Sequence, residues 1–375
     1  MTSIALDRVS WPALARWRPL LAWWAVSRLV TLLAFLVLRA IGPQDHFGAQ
    51  FYRGPLGLFG TWDGVWYQRV AQHGYLLIPG QQSDPAFFPF FPLLLRALHE
   101  LALPYTAAGV LVSNAALVVA VVSFYEVGRR VVGEGLALRA AVFMAVSPMA
   151  FVFSMSYPVS LVLALASLAF LAALEDRWLI AACLAAAAGL TRPETLALVV
   201  PLAALAWSGR AALTPAARGR ALTAVLAAPA ALATYPLYLK WALNDAQAWR
   251  KAERFWGRGF HVTGPLRAVT TLPQLLHAHP ALVRDAILLC VYVCLLVAAA
   301  RAGVGRPWIA AGALVIILPL FSSTVESEGR FGLLAFPLYW GAASLAKSRR
   351  VECALRVGSL GLMTAGVLTL PYIWP

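Results

Sequence analysis

The segment Phe59-Gly-Thr-Trp-Asp-Gly-Val-Trp-Tyr-Gln-Arg-Val-Ala-Gln-His-Gly-Tyr75 differs in character from the rest of this 375-residue chain. Most of the sequence on either side of it consists of long apolar runs. Within it, Trp66 and Tyr67 follow Asp63 at spacings of three and four, which places both rings on the helix face that carries the carboxylate. Glutamine, arginine and histidine supply a polar face. The pattern predicts an amphipathic helix that lies in the plane of a membrane surface.

The composition of the whole chain is that of a membrane protein. Hydrophobic residues make up 61% of it, charged residues make up 12%, and the mean hydropathy is +0.75. Soluble domains contain about twice that charged fraction. The net charge of +14 suits anionic lipid or lipid phosphate, and nucleic acid is not expected as a partner because no basic run lies on a soluble domain. We therefore predict an all-α polytopic membrane protein, and the excess of arginine and alanine indicates a bacterial source.

Long apolar runs predict eleven membrane spans, N-terminus inside and C-terminus outside. Arg8, Arg16 and Arg18 mark residues 1–19 as cytosolic. Two long external loops, residues 42–104 and 244–280, interrupt what we predict to be a single transmembrane domain over residues 1–375. The predicted spans are Pro19–Ile41, Tyr105–Gly128, Leu136–Phe153, Pro158–Leu174, Trp178–Leu190, Pro193–Trp207, Ala221–Leu243, Ala281–Ala300, Trp308–Phe321, Phe331–Ala346 and Leu355–Tyr372.

Some segments depart from a regular series of spans. Residues 86–101 are apolar, but Pro89 and Pro92 break their start, so we predict a second interfacial helix there. The fifth and sixth spans are shorter than the ~17 residues of an upright crossing. They meet at Thr191-Arg-Pro-Glu194, which predicts broken or tilted helices around a cavity. The four cysteines lie in or beside apolar segments, which favours buried packing residues over a disulfide or metal site.

The residues of the predicted external face suit chemistry on a lipid-linked sugar. The chain lacks the GxGxxG, GKS/T, HExxH and GxSxG motifs. It offers instead one distinctive acid, several arginines and many aromatic residues. A carboxylate can take the proton of an acceptor hydroxyl. A departing lipid phosphate is an anion that arginine binds through two parallel hydrogen bonds.

Asp63 is the candidate general base. The competing interpretation is a helix N-cap, a role for which Thr61 and Asp63 are both suitable. Asp84 is the nearest second acid, and the sequence Gln-Gln-Ser-Asp-Pro around it favours a structural role in a turn.

Three arginines are candidates for binding the phosphate of the donor, and each has a structural alternative. Arg192 lies between two short apolar segments, where a charge is costly and a salt bridge to Glu194 is the alternative. Arg258 ends the run Ala248–Arg258, in which cations alternate with aromatics, and which also suits an interfacial helix held to anionic headgroups. Arg330 precedes a predicted span, so its side chain could equally extend from the span to the membrane surface.

The remaining candidates for substrate binding are aromatic residues, which can pack against sugar rings. The histidines are scattered along the sequence, which argues against a metal site. No carboxylate joins His277 and His279 at ligand spacing. We therefore expect no metal and no cofactor other than the lipid-linked sugar itself. The candidate substrate-binding residues are Trp62, Trp66, Tyr67, Tyr157 and Trp256.

Several of these motifs occur together in a known family. Trp62-Asp-x-x-Trp-Tyr67 with Gly74-Tyr75, followed by Ala86-Phe-Phe-Pro-x-Phe-Pro92, resembles the phosphatidylinositol-glycan class V mannosyltransferases (GPI mannosyltransferase II) and their bacterial relatives. These belong to the GT-C superfamily of glycosyltransferases, which use polyprenyl- or dolichyl-phosphate sugars. Further blocks that look like the family's, in the family's order, are Leu190-Thr-Arg-Pro193, Trp256-Gly-Arg258, Arg330-Phe331 and Phe336-Pro337.

The resemblance implies a GT-C fold and an inverting transferase with Asp63 as its base, on the external face of the bacterial plasma membrane. It also implies a mannose donor on a polyprenyl phosphate, no metal, and an extracytoplasmic glycolipid, glycan or protein as acceptor. The chain departs from the family at Tyr157-Pro-Val-Ser160, where relatives tend to read Tyr-(Ser/Thr)-Glu-Ser. The missing carboxylate leaves open a non-catalytic partner subunit. A transporter or flippase of a lipid-linked saccharide is a further alternative, which predicts intramembrane charges and a fold built from repeats.

Overall fold

A computed structural model describes residues 11–42, 49–52, 54–277 and 279–375, and every regular element in this part of the chain is a helix. The remaining positions, which belong to the predicted cytosolic N-terminus and the two predicted external loops, lie outside the described residues. The α-helices are α1 Trp11–Ile41, α2 Asp63–His73, α3 Phe90–His99, α4 Tyr105–Val131, α5 Glu134–Val146, α6 Val159–Leu174, α7 Trp178–Gly189, α8 Val199–Gly209, α9 Pro215–Leu243, α10 Ala248–Phe255, α11 Gly264–Thr270, α12 Pro280–Arg301, α13 Arg306–Leu320, α14 Glu328–Phe331, α15 Phe336–Leu345 and α16 Arg349–Leu368. The 3₁₀-helices are Ala49–Tyr52, Gly57–Gly60, Asp84–Ala86, Ala150–Ser154, Pro193–Leu198, Leu272–His277 and Gly332–Leu334.

Five of the described helices are long and apolar enough to cross a membrane. They are Arg16–Ile41, Tyr105–Val131, Pro215–Leu243, Pro280–Arg301 and Arg349–Leu368. Other apolar helices, such as α6, α7 and α13, have only 10 to 17 residues. The chain is thus a helical membrane protein, and the number of eleven crossings stays a prediction.

The predicted third span is wrong as a single helix. Helix α5 ends at Val146, and Ser147 is extended (φ −56°, ψ 153°) because the ring of Pro148 disfavours a helical conformation at the residue before it. The break exposes carbonyl groups that need a donor. Arg28 of α1 supplies it, since Nη2 lies 3.2 Å from the Ala145 oxygen and Nη1 lies 3.0 Å from the Ala150 oxygen. Arg28, which lies inside the first predicted span, therefore stabilises the break in the third predicted span.

Helix boundaries near the C-terminus also differ from the prediction. The span predicted from Phe331 begins at the last residue of α14 and contains a 3₁₀-turn and then α15, which has 10 residues. At 1.5 Å per residue, α15 is about 15 Å long, half the thickness of a hydrocarbon core. The last helix starts at Arg349, six residues before the predicted start at Leu355.

Small residues allow the short helices to pack closely. Helix α7 packs on α9, and α15 packs on α12. A Cβ atom at Gly189 would lie 2.5 Å from the backbone oxygen of Ala228, and one at Gly341 would lie 2.0 Å from that of Leu295. Only glycine fits at these two contacts, as at close helix–helix contacts in membrane proteins generally.

The cysteines do not lie in the core. All four are free thiols and are exposed on the outside of their helices, so the expectation that they are buried packing residues is wrong. Periodicity within a uniformly apolar run does not distinguish the face that packs on protein from the face that meets lipid, because both are hydrophobic. The residues are Cys183, Cys290, Cys294 and Cys353.

Three interruptions of the helices meet in one region. They are the link between α7 and α8, the link between α13 and α15, and the turn that begins α2. Irregular backbone within a membrane protein requires hydrogen-bond partners from protein or water. Polar side chains that such interruptions carry are therefore placed together inside the bundle, where the candidate site lies.

Candidate functional site

The turn before Asp63 has an unusual backbone conformation. Trp62 has φ 54° and ψ −125°, a region that costs a residue with a side chain of the order of 1–3 kcal/mol. Tyr157 spans the turn: its hydroxyl donates to the Thr61 oxygen (3.3 Å) and accepts from the Asp63 backbone N–H (3.2 Å). The indole N–H of Trp62 donates to the Leu370 oxygen at 3.0 Å. Partners distant in sequence therefore hold the first residue of α2 in place.

The Asp63 side chain is not a helix cap. It makes no capping hydrogen bond, and the residue at the N-cap position is Trp62. Its Oδ2 instead accepts a hydrogen bond from Nη1 of Arg330 at 2.5 Å. The side chain of Asp63 is 23% exposed, and within the described part of the chain its Oδ1 has no hydrogen-bond partner. One oxygen of the carboxylate is thus engaged, and the other is available to a ligand.

Arg330 is positioned from the opposite side by a buried acid. Asp285 of α12 accepts hydrogen bonds from the backbone N–H groups of Ser327 (2.6 Å) and Gly329 (3.3 Å). Ser327 has a left-handed conformation with φ 62°, so this segment needs such external support. The Nε of Arg330 is buried and lacks a hydrogen-bond partner among the described residues. Arg330 therefore keeps a donor free while it holds Asp63.

The three arginines predicted to bind phosphate come together around one aromatic ring. The guanidinium carbon of Arg258 lies 4.8 Å from the centroid of Phe331, that of Arg192 lies 4.9 Å away, and that of Arg330 lies 5.5 Å away. Such distances are those of cation–π contacts. The Nη1 of Arg258 is buried with no hydrogen-bond partner in the described structure. Phe331 thus assembles three positive charges from distant parts of the sequence.

Arg192 differs from the other two because its charge is fully paired. Its Nε and Nη2 donate to the two carboxylate oxygens of Glu194 at 3.0 and 2.8 Å. Both side chains are buried. This is the salt bridge that the sequence offered as the alternative to phosphate binding.

Two carboxyl groups near Arg258 were not predicted from the sequence. Burial raises the pKa of Glu253 to about 7, and Arg258 nearby and the indole N–H of Trp249 (3.2 Å) oppose that rise. Burial also raises the pKa of Glu328 well above its ordinary range, and the nearby acid Asp285 acts in the same direction. Both oxygens of Glu328 are buried without a hydrogen-bond partner in the described residues. A perturbed, unsatisfied acid is typical of a functional site.

Sequence signals for these residues existed, although they were weak. Asp285 is a carboxylate within a predicted apolar span, which by itself marks a functional or structural site. Glu328 lies two positions before Arg330, and Glu253 lies within the cationic and aromatic run of α10. Their burial could not be read from the sequence.

Predicted substrate-binding aromatics form a wall next to the charges. Trp66 and Trp256 meet edge to face at 5.0 Å, and Phe87 packs against both rings. Tyr67 packs against Phe87 at 5.0 Å. Tyr67 is 5% exposed, and burial raises the pKa of its hydroxyl, with Asp63 acting in the same direction. The wall joins α2 to the second predicted external loop.

Trp62 and Tyr157, which were also predicted to bind substrate, lie outside this aromatic wall. The Trp62 ring lies 6.4 Å from that of Trp374, near the C-terminus, while Tyr157 is buried behind the Asp63 turn.

Asp84, predicted to be structural, is buried and lies 3.7 Å from Arg69. Burial raises the pKa of Asp84, and Arg69 partly offsets this. Arg69 also lies over the Trp66 ring at 4.5 Å, so it links Asp84 to the wall.

A metal-binding constellation does not occur among the described side chains: no group of three or more histidines, cysteines and acids lies close enough together to hold an ion. The positive charge of the site comes instead from its arginines.

Comparison with known proteins adds no assignment to this geometry. No family model matches the chain, and no curated protein shows significant sequence similarity to it.

Proposed function

We propose that the chain is an inverting glycosyltransferase that transfers a sugar from a polyprenyl phosphate to an acceptor hydroxyl, with Asp63 as the general base. The observation that supports this most is the pairing of a half-open carboxylate with a cluster of arginines. Asp63 presents a free oxygen, while Arg258 and Arg330 retain unpaired buried donors. A base beside an anion site is what displacement of a phosphate by a hydroxyl requires.

In the proposed reaction the acceptor oxygen attacks the anomeric carbon of the sugar. The bond from that carbon to the phosphate oxygen breaks, and the polyprenyl phosphate leaves with the electron pair. The hydroxyl proton passes to the free oxygen of Asp63. Attack from the face opposite the leaving group inverts the anomeric configuration, and the hydrogen bond from Arg330 keeps the carboxylate in one orientation throughout.

The arginines stabilise the leaving phosphate. Negative charge on it increases as the bond breaks, so donors already in place lower the barrier without rearrangement. Arg330 and Arg258 supply these donors, while Arg192, paired with Glu194, keeps the Phe331 ring in position. The wall of Trp66 and Trp256 provides apolar faces for the sugar.

An apolar cleft reaches the charged cluster from the interior of the bundle. Glu194, the partner of Arg192, forms its polar edge. The cleft has a volume of only about 40 Å³, so a prenyl chain whose phosphate lies at the arginines needs the lining side chains to move apart. Its apolar lining includes Val162, Leu163, Phe170, Leu198, Trp308, Val315 and Phe336.

The resemblance of the motifs to the class V mannosyltransferases specifies the proposal further. It points to mannose as the sugar, to the external face of the plasma membrane as the location, and to an extracytoplasmic glycolipid, glycan or protein as the acceptor. The partly buried Glu253 and the buried Glu328 both lie near Arg258. These two residues provide carboxyl groups in a site that lacks the acid of the resembled family, because Val159 occupies that position.

The test is transfer from radiolabelled polyprenyl-phosphate mannose in membranes that contain wild type, Asp63→Asn or Asp245→Asn. Asp245 is a matched control, because it is an acid of the second loop that pairs with the exposed Lys251 and accepts a hydrogen bond from the backbone N–H of Gln247. We expect a labelled product with wild type and Asp245→Asn and none with Asp63→Asn. Equal transfer by all three removes Asp63 from the chemistry. Movement of a lipid-linked saccharide across the membrane without transfer supports the transporter instead.

A further inference from the structure

A second cleft, which is polar, lies at the opposite end of the helices from Asp63. Its volume is about 560 Å³, and it is formed by α1, α5, the start of α16 and the link before α16. Trp62 contacts Leu370, just past the end of α16, whereas the cleft surrounds Ser348, just before its start. A helix of 20 residues is about 30 Å long, so the two sites are separated by its length. We call it the basic cleft; its charged and aromatic lining consists of Trp23, Arg139, Lys347, Arg349, Glu352 and Arg356.

The charges of the basic cleft are strongly unbalanced. Four cationic side chains face one acid, Glu352. Glu352 is itself engaged in an ion pair with Arg356. In the described part of the chain, Lys347 and Arg349 have no acidic partner, and their residues are exposed. The cleft therefore has a positive charge that nothing within the described residues neutralises.

Other side chains hold the lining in place. Arg139 donates from Nη1 to the Ala346 oxygen at 3.0 Å, which fixes the link before α16. The guanidinium carbon of Arg356 lies 4.7 Å from the centre of the Trp23 ring. The Nε of Arg356 is buried and has no hydrogen-bond partner in the described structure. A buried donor left unpaired is costly unless a ligand or water satisfies it.

The start of α16 adds a further attraction for anions. Ser348 caps the helix, accepting from the Val351 N–H at 3.3 Å. The other N–H groups of the first turn still carry the partial positive charge of a helix N-terminus. Combined with arginine side chains, such a terminus is suited to phosphate.

We infer that the basic cleft binds the phosphate group of an anionic ligand. Phosphate matches the two-pronged donors of arginine and the compact charge of lysine. Two sources share this chemistry, the headgroup of an anionic phospholipid and a soluble phosphate ester. Basic pockets between membrane helices bind lipid headgroups, and exposed Val351 and Leu355 on α16 continue from the cleft as an apolar surface.

The experiment measures binding of fluorescent dioleoylphosphatidylglycerol to the purified full chain in detergent. The test variant is Lys347→Gln with Arg349→Gln, and the control is Arg350→Gln, a neighbouring arginine outside the lining. We expect the test variant to weaken binding about 10-fold or more and the control to change it less than about 2-fold. Dioleoylphosphatidylcholine, measured in parallel, should give the same weak signal for all proteins.

Competition by glycerol 3-phosphate distinguishes the two sources. Displacement of the lipid at comparable concentrations shows that the phosphate ester alone is recognised, so a soluble ligand fits. Displacement only at a large excess shows that the acyl chains contribute and that the ligand is a lipid. Either result supports the inference.

Equal affinity of wild type and test variant overturns the inference, as does an equal loss in test variant and control, which indicates surface charge alone. Both test residues are exposed, so the fold should persist; elution volume and melting temperature verify this. If the double variant does not fold, Lys347→Gln alone is compared with Arg350→Gln in the same way. The readout is binding, so its result is independent of the proposed transfer reaction.

Discussion

The two ion pairs of the candidate site differ in how completely they are closed. Arg192 and Glu194 are two residues apart, and they share two hydrogen bonds in a buried environment. Arg330 and Asp63 are 267 residues apart, they share one hydrogen bond, and each keeps a polar atom without a partner among the described residues. The closed pair satisfies itself and supports Phe331. The open pair retains the hydrogen-bonding capacity that a substrate can use.

The largest expected effect comes from breaking the closed pair. Arg192→Leu leaves the Glu194 carboxylate buried without its partner, which should lower the free energy of unfolding by about 3–5 kcal/mol. The measurement is the melting temperature and yield of the purified protein in detergent. A double variant, Arg192→Leu with Glu194→Gln, should recover much of the loss because no uncompensated charge remains. A single variant as stable as wild type would show that the pair is not structural.

Breaking the open pair should affect transfer more than stability. Arg330→Gln leaves Asp63, which is partly exposed and can be hydrated. Loss of one donor to a developing charge typically lowers the rate about 10²–10³-fold. The measurements are the rate of sugar transfer and the melting temperature, with Arg254→Gln, an exposed arginine of α10, as the control. A large fall in melting temperature with the rate per folded molecule unchanged would make Arg330 a structural residue.

The stability of the protein should depend on pH through Glu253, the acid near Arg258. Burial raises the pKa of Glu253 to about 7 from an ordinary value of 4.5, so the folded chain binds a proton that the unfolded chain has released. This contribution to stability is fully present below pH 4.5 and is lost as pH rises through 7. Glu253→Gln should remove the loss, which we expect to be at least about 1 kcal/mol.

The Glu253 measurement compares the melting temperatures of wild type and Glu253→Gln at pH 5 and pH 8. The difference between the two proteins should be larger at pH 8, with the variant more stable there. Parallel curves for the two proteins contradict the assignment.

The smallest expected effect concerns the apolar cleft next to the closed pair. Ala311 lines it, and Ala311→Leu adds bulk where we place the prenyl chain. Transfer from a long-chain donor should fall about 5-fold, since overpacking of this size costs about 1 kcal/mol or more. Transfer from a short-chain donor should change little. Equal effects on the two donors would place the lipid elsewhere.

Local features of the site could be predicted from the sequence, and distant contacts could not. The spacing of Asp63, Trp66 and Tyr67 predicted α2, and the two residues between Arg192 and Glu194 made their pair a stated alternative. Nothing in the sequence indicated that Arg330 pairs with Asp63, because tertiary packing alone brings them together.

The same limit explains the errors in the fold. Apolar composition predicted membrane helices, but the break at Ser147 depended on Pro148 and on carbonyl groups that Arg28 satisfies from another helix. The wrong burial of the cysteines has a related cause: outward and inward faces of a membrane helix are both apolar. The basic cleft was missed although Lys347, Arg349 and Arg356 lie close together in the sequence, because only the fold brings Arg139 and Trp23 beside them to form a cleft.

The central claim is that Asp63 acts as a base within an open ion pair, and the most direct test separates binding from chemistry. The measurement compares donor affinity and single-turnover transfer for wild type and Asp63→Asn. We predict that the variant binds polyprenyl-phosphate mannose within about 3-fold of wild type, because the arginines remain, and transfers the sugar about 10²–10⁴-fold more slowly. A variant that transfers at the wild-type rate once donor is saturating would contradict the claim.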